Sequence, residues 1–169
     1  MLHNHQRGFT LLEVLVAMAI GLTILIFFGK SLLLLLYARD KNEVKQHTLQ
    51  TAQYIINLYS QTGRTATKLD VLSGNTSLSV TGNPCRLFRY NAGTKSIDYG
   101  EVAGPACTPP ANTTMTLNPP NVTVNSLNFT GTPQATDAKS VQMVFSLTST
   151  LPFGTDTQSF TTTISLWGK

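Results

Sequence analysis

FTLLEVLVAMAIGLTILIFFGKSLLLLLY, running from Phe9 to Tyr37, decides how the rest of the chain is read. Leu, Ile, Val and Phe fill 18 of its 29 positions, and only Glu13 and Lys30 are charged. Val14 to Gly29 holds 16 residues without a charge, which as helix span roughly 24 Å. Carried on to Tyr37, the helix reaches about 36 Å, enough to cross a hydrocarbon core of roughly 30 Å. The strongly apolar residues together favour insertion by about 5–11 kcal/mol, against about 3 kcal/mol for each charge at the bilayer centre. Both charges lie off centre, and the Lys30 ammonium can snorkel toward the interface. Insertion wins. A cleaved secretory signal would need a small-residue site after the apolar run; Ala38, Arg39, Asp40 and Lys41 follow instead and continue the helix.

Outside this stretch the chain changes solvent. Of its 169 residues only 12 % are charged, about half the usual share, with 12 Lys+Arg against 8 Asp+Glu and a net charge of +4. So little charge excludes a chain soluble along its whole length and a nucleic-acid binder built on a dense basic patch. A hydrophobic content of 41 % excludes disorder. Beyond Tyr37 Ser and Thr become abundant, 37 in the whole chain, as befits a domain in water.

Glu13 sets this segment apart from a generic anchor, because an ionisable group in an apolar helix needs a partner. The segment Gln6-Arg7-Gly8-Phe9-Thr10-Leu11-Leu12-Glu13-Val14-Leu15-Val16-Ala17 resembles the N-terminal processing motif of type IV prepilins and pseudopilins. It has a short polar leader ending in Gly, then Phe, Thr and Leu, then Glu at the fifth mature position and unbroken apolar helix. The resemblance implies a leader of residues 1–8, cut by a prepilin peptidase between Gly8 and Phe9, with methylation of the new Phe9 amine. Glu13 would then pair with that amine on a neighbouring subunit. Methylation keeps the cation charged, and a carboxylate in low dielectric requires one.

The resemblance also implies the pilin fold, storage in the inner membrane as a single-pass protein with its C-terminal domain in the periplasm, and transfer to a cell-surface pilus. Other major and minor pilin subunits would be the partners. Major pilins usually carry a Pro well inside this helix; here the region reads Gly29-Lys30-Ser31, which points to a minor subunit. Residues 12–22 look like the accessory subunits called PilW in pili and pseudopilin J in type II secretion, which sit near the filament tip and help prime assembly.

Residues 9–37 form the membrane or filament-core helix, and 38–62 continue it as an amphipathic helix. Val44, Thr48 or Leu49, Ala52, Ile55, Ile56 and Tyr59 recur at spacings of three to four, and Gly63 reads as the stop. The stripe needs a sheet to cover it, and residues 63–169 supply a β-rich head. Cys85–Tyr90 and 96–99 flank a turn, and the runs 122–129, 141–147 and 160–167 give further strands between Pro-marked loops. A long helix followed by antiparallel strands packed on its second half is an α+β fold.

Cys85 and Cys107, the two cysteines, both fall in the head. Joined, they would close a segment worth about 3–4 kcal/mol, and an oxidising periplasm or cell surface permits the bond. No catalytic or metal-ligating constellation is visible: His47 stands alone, the head's carboxylates are scattered, and phosphate loops and nucleophile elbows are absent. The expectation is no enzyme, no cofactor and no metal.

Three functions follow. The first is a minor type IV pilin that primes or caps a filament. The second is a pseudopilin of a type II secretion or competence system, which shares every residue above. The third is a membrane-anchored adhesive or ligand-binding module. Nucleic acid as a partner would rest on Arg86 and Arg89 beside Phe88 and Tyr90, but strand alternation sends the two arginines to opposite faces. Salt-sensitive affinity for duplex DNA would mark that role.

Overall fold

The computed structural model describes residues 10–72, 74–103, 115–133, 136–152 and 154–166. Helix α1 runs Leu11–Arg64. Eight strands follow: β1 (Ala66–Leu72), β2 (Ser77–Gly82), β3 (Cys85–Asn91), β4 (Ser96–Val102), β5 (Met115–Thr116), β6 (Val122–Thr132), β7 (Ser140–Leu151) and β8 (Gly154–Ser165). The chain divides into two compact units, Met1–Asp40 and Lys41–Lys169. The architecture is the expected α+β.

In the first unit every helical residue from Leu11 to Arg39 is exposed around the whole circumference. Leu12 is 74 % exposed and Phe27 71 %, values that water would penalise heavily along so long a rod. This helix is long and apolar enough to cross a membrane.

In the second unit the helix becomes one-sided. Val44, Thr48, Thr51, Ala52, Ile55, Tyr59, Thr62 and Gly63 are buried, which matches the predicted stripe and adds threonines to it. These threonines cost little in a dry face where their hydroxyls bond back to the helix: Thr48 Oγ1 donates to the Val44 carbonyl at 3.1 Å, and Thr62 Oγ1 to Leu58 at 2.7 Å.

The strands form two antiparallel sheets rather than one, ordered β1-β2-β3-β4-β5 and β6-β7-β8. Ala52, Ile55 and Tyr59 share a single core with Leu69, Leu78, Phe88 and Ile97 of the first sheet and Val124, Phe129, Phe145 and Leu147 of the second. Each such side chain contributes about 1.5–3 kcal/mol by burial. Tyr59 is the hub: its ring meets Phe88 edge-on at 5.8 Å, and its hydroxyl donates to the Val141 carbonyl at 2.8 Å.

Two differences from expectation have physical causes. β2 shows no alternation because Ser77 and Ser79 are buried beside Leu78 and Val80, and β1 buries only Leu69 and Val71 among polar residues, too short a pattern to read as a strand. β8 begins at Gly154, six residues before the expected Phe160, because its inner face there carries Asp156 and Gln158, satisfied by each other at 2.8 Å. α1 ends at Arg64, one residue past Gly63, and Gly63 has a second role there: a Cβ would stand 2.8 Å from the Ile164 Cβ, so the glycine permits close approach to β8. Gly63→Ala gains about 1 kcal/mol of helix propensity, yet the clash costs about 1–3 kcal/mol. Net destabilisation in chemical denaturation is the expected outcome; a stabilised variant would show that the gap can open freely.

Candidate assembly site at the start of the helix

The helix begins with a built-in cap. The Thr10 carbonyl accepts from the amides of Glu13 at 3.0 Å and Val14 at 3.3 Å, and Thr10 Oγ1 accepts from the Glu13 amide at 3.3 Å. Thr-x-x-Glu is the capping-box spacing, a signal present in the sequence and overlooked there. The Glu13 carboxylate lies in the first turn, where the positive end of the helix dipole favours it by about 0.3–1 kcal/mol. Thr10, Leu12, Glu13, Val16, Ala17 and Ile20 line one shallow, largely apolar surface. The carboxylate is therefore placed on an exposed apolar rod, with no cation among the residues of that surface.

Gly8 and Phe9, the expected processing pair, lie outside the described residues, as does Cys107. Cys85 is fully buried at the start of β3, opposite Val102 at the end of β4.

A cleft of about 530 Å³ lies between β4, β5 and the start of β6. Its one carboxylate, Asp98, is buried, accepting from Ser96 Oγ at 2.7 Å and Asn91 Nδ2 at 3.2 Å. Asn91 Oδ1 in turn accepts from the Gly93 amide at 3.1 Å and the Thr94 amide at 3.3 Å, which fixes the β3–β4 turn. Asn118 Oδ1 accepts from the Ile97 amide at 3.1 Å while its Nδ2 donates to the Val122 carbonyl. These polar groups hold loops to strands.

No group of three potential metal ligands occurs among the described residues. Arg86 is committed to Glu101 at 3.5 Å and to Thr65 Oγ1 at 2.9 Å, and Arg89 stands opposite Asp98 in the register. His47 lies 4.0 Å from Glu43 one turn earlier.

Residues 3–28 match the family model described as the prokaryotic N-terminal methylation motif. No curated protein and no solved structure matches the chain. The matched span covers Gly8, Phe9, Thr10, Glu13 and the apolar start of α1. An apolar helix long enough to cross a membrane runs on into a β-sheet head. With this leader motif in front of it, the chain has the N terminus and the architecture of a type IV pilin or pseudopilin. That class is structural rather than enzymatic, and its leader implies processing by a prepilin peptidase and assembly with other pilin subunits.

Proposed function

We propose that this protein is a minor type IV pilin that is inserted into a filament and primes or caps it. The carrying observation is an apolar helix exposed on all sides, with a single carboxylate in its first turn, behind an N-terminal methylation motif. Lipid covers the apolar surface first, with the head in the periplasm; neighbouring helices replace lipid when the subunit enters the filament. Cleavage between Gly8 and Phe9 frees an amine, methylation keeps it cationic, and Glu13 of one subunit pairs with Phe9 of the next. The absence of Pro throughout α1 supports a minor subunit rather than the abundant one. Cys85 and Cys107 form a disulfide in this reading; Cys107 follows β4 by five positions, and the end of β4 stands opposite Cys85. The chain performs no catalysis. A pseudopilin of a secretion or competence system is the neighbouring reading, since the leader motif is common to both.

Mass spectrometry of the mature N terminus tests the proposal. Protein from cells with active maturation machinery should begin at a methylated Phe9, and Gly8→Leu should remain a membrane-retained precursor. A chain that still begins at Met1 in such cells, or a Gly8→Leu variant cut normally, would overturn it.

A further inference from the structure

The two sheets present four edges: β1 and β5 flank the first, β6 and β8 the second. They carry devices that discourage a foreign strand. β1 bears Lys68 and Asp70, ion-paired at 3.1 Å, and a bulge between Ala66 and Lys68. β5 is only two residues long. β6 is bulged between Val124 and Ser126.

β8 carries only one such device, the inward-facing charge of Asp156. It runs for 12 residues without Lys, Arg or Pro, and its register with β7 is unbroken from Ser140↔Ser165 to Leu151↔Gly154. Its one charge, Asp156, accepts a hydrogen bond from Gln158 Nε2 on the same strand. Among the described strands β8 pairs with β7 alone, so alternate backbone N–H and C=O groups face outward along its free side.

The outer face of β8 is a row of exposed hydroxyls: Thr155, Thr157, Ser159, Thr161, Thr163 and Ser165. A side-chain ladder already crosses the sheet toward it. Asn125 Nδ2 on β6 donates to Thr148 Oγ1 on β7 at 2.7 Å, and Thr148 Oγ1 lies 2.7 Å from Thr157 Oγ1 on β8. The ladder stops at the edge, where a further strand bearing hydroxyls would extend it.

We propose that the free edge of β8 is an interaction surface that pairs antiparallel with β8 of a second copy of this chain. A two-fold axis at Phe160 sets Thr157 opposite Thr163, Ser159 opposite Thr161 and Thr155 opposite Ser165. Every outer-face pair is hydroxyl against hydroxyl, a favourable cross-strand combination. On the inner face Phe160, stacked on Phe145 at 5.3 Å, meets its own copy, and Asp156 falls opposite Ile164. No like charges meet. A partner chosen by charge would find almost none on this edge; its best complement is its own sequence, as a two-fold interface requires. The product is one sheet of six strands. This pairing depends on β8 and not on the apolar helix, so it stands or falls separately from the filament proposal.

The test uses the full chain in detergent micelles, with molecular mass by light scattering and amide exchange along β8 measured at rising protein concentration. A dimer whose β8 amides slow with concentration is expected. Ser159→Lys with Thr161→Lys places lysine opposite lysine across the axis and should weaken the dimer about tenfold. Ser159→Glu with Thr161→Lys places acid opposite base and should restore it. Both variants change only exposed outer-face positions, so a shared loss would mean that the register is wrong. Three results would overturn the proposal: a monomer, a dimer whose β8 exchange ignores concentration, or protection that appears only when a different pilin subunit is added.

Discussion

Glu13→Val is expected to be cleaved and inserted into the membrane as well as the wild-type chain, yet to be depleted about a hundredfold or more from sheared surface fibres. Removing a carboxylate from the apolar segment favours insertion, because it removes a penalty of about 3 kcal/mol. Assembly responds in the opposite direction. Under the proposed pairing the variant leaves a neighbour's Phe9 ammonium buried without its partner, at about 3–5 kcal/mol, and each 1.4 kcal/mol is tenfold in occupancy. The local effect is smaller: the Thr10 cap accepts from the backbone amide of residue 13, which valine keeps, and losing the carboxylate's interaction with the helix dipole costs about 0.3–1 kcal/mol. Glu13→Gln separates charge from the size and polarity of the side chain. If charge pairing is the role, Glu13→Gln assembles as poorly as Glu13→Val. Immunoblotting of membrane and fibre fractions gives the answer, and normal incorporation of Glu13→Gln would overturn the pairing.

Tyr59→Ala should cost the head about 3–5 kcal/mol, a large share of the roughly 5–15 kcal/mol by which a domain is stable. Tyr59 is fully buried, packs edge-on to Phe88 and lies 6.3 Å from Phe129. Truncation opens a cavity where α1, the first sheet and the second meet, and neither sheet can close over it while the other holds its place. The hydroxyl is a smaller part of the loss. Burial pushes its phenol pKa upward, so it remains a donor to the Val141 carbonyl, and Tyr59→Phe should cost only about 1 kcal/mol. Thermal melts of the two variants should therefore differ by roughly 10 °C. Near-equal melting points would locate the hub of the core elsewhere.

The first helix was legible because its signal is composition: Leu11 to Tyr37 has one reading in any solvent. The stripe Val44, Ala52, Ile55 and Tyr59 was legible by spacing, and β3, β4, β6 and β7 by alternation bounded with turn residues. Two kinds of information were not. Every pairing joins consecutive strands, so the division into two sheets lies in the break between β5 and β6, and no local pattern encodes that break. Burial of small polar residues, as at Ser77, Ser79 and Thr62, depends on neighbours that only the folded chain supplies. Gly63 shows both sides in one residue: glycine after an apolar stripe signals the terminus, which falls at Arg64, but not the Ile164 side chain whose close approach requires the missing Cβ. At the assembly site Glu13 was found by its cost in an apolar segment, and its cap by Thr10 was present in the sequence as Thr-x-x-Glu.

The clasp between Gly63 and Ile164 carries a lesson about the order of synthesis. The helix emerges from the ribosome before the strand that closes over its end. Roughly a hundred residues separate the two, so a slow, non-local step completes the head. Tyr59 waits likewise for Val141, 82 positions downstream. Until β6 to β8 follow, the core that the helix shares with the first sheet lacks its second cover. A ribosome stalled before codon 164 would leave a head without its closing strand, a fragment for quality-control proteases to clear.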